Sequence, residues 1–336
     1  MKNTSRSTLS IAIASAVLVL GLAACSEAPD NEVATDAAAP AAEAPAAAPV
    51  VDTPPPSVVD ATIAGEHRSA ENRARDQFRH PAETLAFFGF EPDQTVVEIT
   101  PGGGWYTEIL APALGEQGQY IGVVIDPAKV DEKARDYYAK GNQKLRDKLA
   151  ADPALYGKAT LVEVDPAAPV IGEPGSADLV LTFRNVHNWM GNDQAEGMFK
   201  AFHEVLQPGG VLGVVEHRAA EGAAANPESG YVPEATVIEL ATAAGFELAE
   251  KSEVNANPAD TKDHPNGVWT LPPSRSTPEG EDPAKYEAIG ESDRMTLKFV
   301  KPGADAAAST GAAADGTAAE PAAAEAAPAT DGGDEG

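Results

Sequence analysis

The chain has 336 residues and a formal net charge of −28, with 24 Lys and Arg residues against 52 Asp and Glu residues. Phosphate binding draws on clustered Lys and Arg side chains, so this charge balance argues strongly against a nucleic-acid partner. The single cysteine, Cys25, excludes disulfides and cysteine-ligated metal sites from the rest of the chain.

Residues 1–25 have the pattern of a secretory signal peptide. Lys2 and Arg6 precede the apolar run "LSIAIASAVLVLGLAA", which is too short for a membrane-spanning helix and ends in small residues. The sequence "LAAC" resembles a bacterial lipobox, in which the cysteine becomes the acylated first residue of the mature protein. The resemblance predicts a lipid anchor at Cys25, and Ser26 implies sorting to the outer membrane, facing the periplasm. The alternative is an ordinary cleaved signal peptide with an incidental cysteine.

Two segments are predicted to be disordered. Residues 26–65 are rich in Ala and Pro, with seven carboxylates and no Lys or Arg, and residues 303–336 again carry seven carboxylates and no basic residue. Such segments cannot bury enough apolar surface to offset the entropy that ordering costs. We therefore expect a flexible tether, one folded domain over 66–302 and an acidic Ala-rich tail.

The segment "EHRSAENRARDQFRHP", residues 66–81, is a basic patch in an acidic domain. Its arginines are Arg68, Arg73, Arg75 and Arg79. In one helix, the residues at 68, 75 and 79 lie near one face, where they would cover a pocket and meet a carboxylate of a ligand. The alternative is a solvated face on which the arginines pair with Glu71 and Asp76.

Apolar runs that alternate with helical patterns predict a parallel sheet covered on both faces. The runs are "TVVEI" (95–99), "YIGVVID" (120–126), "ATLVEVD" (159–165), "ADLVLTF" (177–183) and "GVLGVVEH" (210–217). A crossover helix in "NDQAEGMFKAFHEVL" is predicted to begin at a capping Asn192 or Asp193 and to stop at "QPGG". Another helix runs from Pro233 to Gly245. With strands near 246–254 and at 294–300, the prediction is an α/β fold with a doubly wound, mostly parallel seven-stranded sheet.

The first strand runs into the glycine-rich loop "EITPGGGWYT". Thr107 stands where a dinucleotide fingerprint needs its third glycine, and no Gly-Lys-Ser/Thr follows to make a P-loop. The loop does offer a carboxylate, Glu98, at the strand end, then glycines and a helix, and Asp126 closes the next strand. Glycine lets the backbone approach a ligand closely, and a carboxylate about 20 residues further on can bind ribose hydroxyls.

This layout resembles the class I S-adenosylmethionine-dependent methyltransferases, whose first motif usually reads acidic-x-Gly-x-Gly-x-Gly. Here the motif is "EITPGGG", with Thr100 in place of the first glycine. The resemblance spans about residues 78–300, includes "ADLVLTFRNVHNW" and "LQPGGVLGVVEH", and is strongest with a group of predicted exported methyltransferases. It implies a Rossmann-like methyltransferase fold and S-adenosyl-L-methionine as the cofactor.

The resemblance also assigns cofactor-binding residues. It implies that the motif residues Glu98, Gly102, Gly103 and Gly104 bind the cofactor, with 98, 102 and 104 bordering its methionine part. Asp126 would bind the ribose, and Asp165 would lie near the adenine amino group. The alternatives are a tight turn without a ligand, for the glycines, and simple capping of the following loop, for each aspartate.

Polar residues gather at the predicted carboxyl ends of the later strands, where open α/β sheets bind ligands. They are Arg184, Asn185, His187, Asn188 and Trp189, then Glu216, His217 and Arg218, then Asn255, Asn257, Asp260, Asp263 and His264. Methyl transfer requires an aligned nucleophile and, for a protonated acceptor, a base. We predict His187 as that base, with Asn185 and Asn188 orienting the acceptor. A histidine that only hydrogen-bonds a neighbouring loop is the alternative.

Two aromatic residues follow the glycines. Trp105 or Tyr106 would wall the cationic sulfur of the cofactor, although simple packing of the helix explains them as well. The functional prediction is a methyltransferase acting on an unknown small-molecule acceptor at the cell envelope. The first alternative is a non-catalytic module that binds a nucleoside-like ligand. The second is a metal-dependent hydrolase using His187, Glu216, His217 and His264, but their spacing matches no named metal motif, so we predict no metal.

Overall fold

The structure is a computed structural model that describes residues 57–303. The predicted signal peptide, Cys25, most of the predicted tether and nearly all of the predicted tail lie outside the described residues. Within residues 57–303, no helix has both the length and the apolar character needed to cross a membrane.

Seven strands form one sheet in the order β3-β2-β1-β4-β5-β7-β6. The first five strands pair in parallel, and β7 runs antiparallel to both of its neighbours. The predicted fold class is therefore confirmed. The strands are β1 Thr95–Ile99, β2 Gln119–Ile125, β3 Thr160–Val164, β4 Ala177–Phe183, β5 Leu206–His217, β6 Glu247–Ser252 and β7 Arg294–Val300.

Helices cover both faces of the sheet. Within residues 57–303 they are α1 Val58–Ile63, α2 Ala70–Arg73, α3 Asp76–Arg79, α4 Pro81–Phe88, α5 Thr107–Leu114, α6 Glu132–Ala151, α7 Pro153–Tyr156, α8 Val186–Met190, α9 Ala195–Val205, α10 Glu234–Ala243 and α11 Ala284–Glu287. Three short 3₁₀ helices lie at Pro127–Lys129, Pro227–Ser229 and Gly267–Thr270.

The strands divide the core into two layers because their side chains alternate between faces. Val96 points to the layer that contains α4 and α5, with Leu85 and Ile109. Val97 points to the opposite layer, where α9 and α10 contribute apolar side chains such as Phe202 and Val237. Both faces of the central strands are thus buried, which explains why those strands are nearly all apolar in sequence.

The crossover helix begins later than predicted and ends before "QPGG", as predicted. Helix α9 begins only after Gln194, which makes no side-chain cap, so the predicted capping by Asn192 or Asp193 is wrong. At the other end, strand β5 begins immediately at Leu206 and contains "QPGG". The pairing with β4 skips from Leu206 to Val211, so the glycines form a bulge within the strand rather than a turn before it.

The N-terminal boundary of the folded domain also needs correction. Residues 58–63, assigned by sequence to the disordered tether, form helix α1. A capping box at Ser57 and Asp60 satisfies the first turn, and Ile63 packs against the apolar layer that contains α5. Burial of this short apolar face outweighs the Ala- and Pro-rich composition of the preceding chain.

We predict that Ile63→Ala lowers the free energy of unfolding by about 1–2 kcal/mol, because it removes part of a packed side chain that is not fully buried. The matched control is Val58→Ala on the same helix, where the side chain is 42% exposed. This control should change the free energy of unfolding by less than about 0.5 kcal/mol. Urea denaturation of both variants measures the difference, and equal values would place α1 outside the folded domain.

Candidate active site at the carboxyl edge of the sheet

A cavity of ≈ 1130 Å³ opens at the carboxyl edge of the sheet. It lies where β1 meets β4, the point at which the strand order changes direction: β2 and β3 lie on one side, β5 on the other. Ligands of open α/β sheets bind at such a switch point. The wall is formed by the glycine loop, α6, the segment after β4 and loops around Trp269 and Glu291.

The glycine loop presents bare main chain to this cavity. Gly102 and Gly103 line it, and a Cβ added to either would meet no atom within 4 Å. Gly104 has a different role, because its added Cβ would approach Leu145 of α6 to 3.0 Å. The loop therefore needs one glycine for helix packing and leaves two positions where a ligand can approach the backbone closely.

Thr100, which replaces the first glycine of the resembled motif, has φ 51°. A β-branched residue in this left-handed region is strained by about 1–3 kcal/mol. Its Oγ1 is buried and has no hydrogen-bond partner among the described residues. Thr100 also lines the cavity, so the strained residue lies at the candidate site itself.

Helix α6 closes one side of the cavity, a role that the sequence did not reveal. Asn142 donates a hydrogen bond from Nδ2 to the Ile125 carbonyl at the end of β2, at 2.8 Å, and Leu145 packs beside Gly104. Only these two side chains of α6 are buried. Tyr138 and Leu149 extend this face at helical spacing, but such a pattern does not indicate which edge of the sheet a helix covers.

Glu98 is buried at the end of β1 and lines the cavity. Its Oε2 accepts hydrogen bonds from the Tyr120 hydroxyl at 2.6 Å and the Thr107 hydroxyl at 2.9 Å. Burial raises the pKa of Glu98 to about 7, although these hydrogen bonds and Lys148 oppose the rise. One oxygen of the predicted cofactor-binding carboxylate is therefore already used within the protein.

The two predicted adenosine-binding aspartates lie beside the cavity and do not line it. Asp126 follows Ile125, which does line the cavity, and its Oδ1 accepts a hydrogen bond from the Ala128 amide at 2.8 Å. Asp165 makes the same contact with the Ala167 amide at 2.9 Å. Both aspartates therefore do what the capping alternative describes, and their contact with a ligand stays a prediction.

His187 and Glu216 form an oriented pair where β4 and β5 end. Glu216 is fully buried, and its Oε1 lies 3.1 Å from Nδ1 of His187. The carboxylate also accepts backbone hydrogen bonds from Val186, at 2.6 Å, and from His217, at 2.8 Å. Glu216 thus holds the segment after β4 against β5 and fixes the ring of His187, which lines the cavity.

His217 lines the cavity beside His187, and the two ring centroids are 5.4 Å apart. Nδ1 of His217 is bonded to Ser292 Oγ. Burial, followed by the neighbouring His187 ring and the positive charge of Arg184, holds the pKa of His217 well below its usual value.

The two predicted acceptor-orienting asparagines have different positions. Asn185 is buried and donates from Nδ2 to the Ile99 carbonyl, at 3.0 Å, and to Thr182 Oγ1, at 3.1 Å. It ties the end of β4 to β1, so its amide donors serve the sheet instead of an acceptor. Asn188 is exposed and lines the cavity, where it can contact a ligand.

The aromatic residues after the glycines, Trp105 and Tyr106, line the cavity and also pack against protein groups. Trp105 lies between two guanidinium groups, with Arg79 at 4.6 Å and Arg68 at 5.1 Å from its ring centroid. Tyr106 stacks on Phe183 with a centroid distance of 3.6 Å. The faces of both rings are therefore engaged by protein groups.

The basic segment is not one helix: α2 ends at Arg73, α3 covers Asp76–Arg79, and His80, with φ 40°, separates α3 from α4. Its arginines are mostly not on a solvated face. Arg68 is buried and binds both carboxylate oxygens of Asp76 at 2.7 Å. Arg75 and Arg79 line the cavity, as the pocket-covering interpretation describes.

Three arginines bind one carboxylate, Glu291, in the cavity wall. The Glu291 oxygens accept hydrogen bonds from Arg75 at 2.6 Å, Arg79 at 3.1 Å and Arg294 at 2.7 Å. Burial favours a raised pKa, but the positive charges of Arg294, Arg79, Arg184 and Arg75 lower the pKa of Glu291 to about 2. No sequence pattern indicates this cluster, because two of the three arginines, Arg75 and Arg79, lie more than 200 positions before Glu291.

The polar residues after β6 stabilise the loop structure. Asp260 accepts hydrogen bonds from the Tyr231 hydroxyl at 2.8 Å and the Asp293 amide at 2.8 Å, and it lies 2.8 Å from Nε2 of His264. Asn255 donates to Thr84 and Thr296. None of the five residues predicted in this loop lines the large cavity, so His264 is separate from the His187–Glu216–His217 cluster.

No protein-family profile and no curated protein matches this sequence. Solved structures with similar folds include a SAM dependent methyltransferase from Aquifex aeolicus, 14% identical, with 68% of this chain and 93% of that chain covered and a TM-score of 0.43. A putative sarcosine dimethylglycine methyltransferase from Galdieria sulphuraria is 14% identical, with 69% and 87% covered and a TM-score of 0.44. The [4+2]-cyclase SpnF is 15% identical, with 71% and 85% covered and a TM-score of 0.44. Likenesses this distant do not carry a ligand or a reaction over to this chain.

We predict that Glu98→Gln changes how stability depends on pH. A folded pKa of about 7 against an ordinary value of 4.5 means that the folded state holds its proton longer, so stability falls as pH rises from 4.5 to 7. The glutamine variant lacks this loss, so from pH 5 to pH 8 it should gain about 3 kcal/mol relative to the wild type. Urea unfolding at both pH values measures the change, and parallel pH profiles would contradict it.

Proposed function

We propose that this protein is an S-adenosylmethionine-dependent methyltransferase that acts on a small-molecule acceptor at the cell envelope. The observation that carries the proposal is the cavity at the switch point, which has bare main chain at Gly102 and Gly103 and an oriented histidine, His187, in its wall. The signal sequence and Cys25 support the location at the envelope.

The residues present fit this cofactor in two respects. A cavity of ≈ 1130 Å³ is larger than most ligand pockets, and the added Cβ atoms at Gly102 and Gly103 would point into open space. Asp126 supports the fit less directly: its Oδ2 accepts no hydrogen bond from a described residue, and it adjoins Ile125 in the cavity wall. Bound S-adenosylmethionine supplies an electrophilic methyl group, and its transfer leaves a neutral thioether.

His187 is the base in this proposal. With Nδ1–H donating to Glu216, Nε2 is left as the proton acceptor, and no described residue hydrogen-bonds to it. The acceptor would lose its proton to Nε2 as its lone pair forms the bond to the methyl carbon. Asn188, exposed in the same wall, would orient the acceptor, while Asn185 holds the strand ends in place.

A non-catalytic module for a nucleoside-like ligand would use the same cavity, so turnover distinguishes it from the enzyme. A second candidate function comes from one specific observation: His187, Glu216 and His217 place ligand atoms within 4.8 Å of one another. This cluster is compatible with a metal-dependent hydrolase. The hydrogen bonds that both Glu216 oxygens already accept from backbone amides count against it.

Calorimetry on the full chain tests cofactor binding. We expect S-adenosylmethionine and its demethylated product to bind in the low micromolar range. Gly103→Val should weaken binding at least tenfold, because the new side chain enters the cavity and Gly103 has no left-handed φ to strain. The melting temperature should stay nearly constant. Wild-type affinity in this variant would show that the ligand does not lie against the glycine loop.

Asp126→Ala tests the ribose contact in the same assay, with an expected loss of tenfold or more in affinity. Asp282→Ala is the matched control, because Asp282 caps Ala284 with the same backbone geometry in an exposed loop. The control should bind like the wild type. Equal binding by all three proteins would remove Asp126 from the site.

Transfer of a labelled methyl group to periplasmic extract separates the enzyme from the binding module. His187→Gln should lower the transfer rate about 100-fold or more while leaving the affinity for S-adenosylmethionine within twofold, because it removes the base and not the cofactor site. Metal analysis of the same preparation tests the hydrolase. One equivalent of a transition metal, lost in Glu216→Gln, would favour the hydrolase over the methyltransferase.

A further inference from the structure

The cavity wall is cationic in a strongly acidic domain. Its cations are Arg75, Arg79, Lys140, Lys144, Lys148 and Arg184, and its carboxylates are Glu98, Glu108 and Glu291. Lys148 is paired with Glu108, and Glu98 accepts hydrogen bonds from the hydroxyl groups of Tyr120 and Thr107. The arginines near His187 therefore have only Glu291 to balance them.

The arginines have hydrogen-bonding capacity that no described residue uses. The Nη2 atoms of Arg75 and Arg79 are buried and have no hydrogen-bond partner within residues 57–303. Arg79 as a whole is only 2% exposed. Arg184 makes no side-chain hydrogen bond or ion pair with any residue in 57–303. A buried guanidinium donor without a partner costs more than about 1 kcal/mol, so these donors point to an absent acceptor group.

The pKa values of Arg79 and Arg184 lead to the same conclusion. Burial lowers the pKa of Arg79 to about 9, and repulsion from Arg184 and Arg75 adds to this effect. The attraction of Glu291 opposes it. Burial and the neighbouring Arg294 lower the pKa of Arg184 to about 10. Guanidinium groups stay charged at physiological pH, so the shifts express an excess of positive charge that one carboxylate does not offset.

The backbone holds Arg184 in place at some cost. Its φ is 63°, in the left-handed region, and its amide donates to the Val215 carbonyl at 2.7 Å. A strained residue at the end of a central strand, with an unpaired charged side chain that lines the cavity, has no structural explanation in the fold alone. Trp105 stacks on the guanidinium of Arg79 and so holds this arginine in place as well.

We propose that the methyl acceptor carries an oxyanion, a carboxylate or phosphate group, which Arg184 binds together with Arg75 and Arg79. This inference rests on the proposed function. Arg184 follows β4, three residues before His187, and Arg75 and Arg79 line the same cavity, whereas the aspartates predicted to bind adenosine follow β2 and β3 on the other side of β1. An anion held beside the base is placed for an acceptor. The cofactor's own carboxylate is the competing source of the anion.

Thermal unfolding of the full chain with inorganic phosphate tests the anion site. Phosphate should raise the melting temperature of the wild type more than sodium chloride at equal ionic strength. Arg184→Gln should lose this effect, with phosphate affinity at least tenfold weaker, and Arg184→Lys should recover part of it. Arg135→Gln removes an exposed cation outside the cavity and should respond like the wild type.

Arg184→Gln should also be at least as stable as the wild type without phosphate, because it removes a repelled charge and breaks no side-chain hydrogen bond. Equal phosphate responses in wild type and Arg184→Gln would overturn the anion site. A response to phosphate no larger than the response to sodium chloride would overturn it too.

Calorimetry in the presence of saturating S-adenosylmethionine distinguishes the two sources of the anion. If the acceptor supplies it, phosphate binds to the cofactor-loaded protein, and Arg184→Gln keeps cofactor affinity within twofold. Competition between phosphate and S-adenosylmethionine, with a tenfold loss of cofactor affinity in Arg184→Gln, would overturn the assignment to the acceptor. If S-adenosylmethionine does not bind at all while phosphate does, the proposed function fails and the anion site stands.

Discussion

The candidate site depends on how the chain leaves two neighbouring strands. At the carboxyl ends of β1 and β4, which pair in parallel, Thr100 and Arg184 both have left-handed backbone conformations. These turns lead the two following segments apart, and the space between them is the cavity. The strain is held by burial of the strands and by the hydrogen bonds that Asn185 and Glu216 make across the strand ends. The fold thus stores local strain where a ligand would bind.

Charge separates the surface of this domain from its cavity. The sequence has an excess of 28 negative charges, yet the cavity wall carries more cations than carboxylates. An acidic surface favours solubility, while a buried cationic group costs desolvation energy and requires a specific benefit. Binding an anionic ligand supplies that benefit. The combination also explains why composition, which argues against a nucleic-acid partner, gives no indication of a small anionic substrate.

The sheet could be predicted from the sequence because its signals are local. Runs such as "ADLVLTF" are apolar over their whole length, and β4 and β7 have the predicted bounds. The glycine loop and His187 were found for the same reason, since each follows directly on a strand. Errors arose where tertiary contacts decide: burial orders α1, and the basic segment divides between α2 and α3, where Arg75 and Arg79 bind Glu291.

The parts of the site that the sequence could not reveal involve distant partners. Glu291 meets Arg75 and Arg79 across more than 200 residues, and Gly104 is needed because Leu145 of α6 packs against it. Asp126 shows that a correctly predicted position does not predict the contacts of the side chain. Its position after β2 was predicted, but the capping contact with Ala128 takes up one of its oxygens. Position along the chain therefore identifies the edge of the sheet and not the direction of each side chain.

The central claim is that the cavity beside the glycine loop binds an adenosyl cofactor. A crystal structure of the full chain with S-adenosylhomocysteine tests this claim most directly. The account predicts that the ligand lies against the main chain of Gly102 and Gly103, with its ribose toward Asp126 and its sulfur on the side of His187. A ligand bound elsewhere, or no ligand in the cavity at saturating concentration, would contradict it.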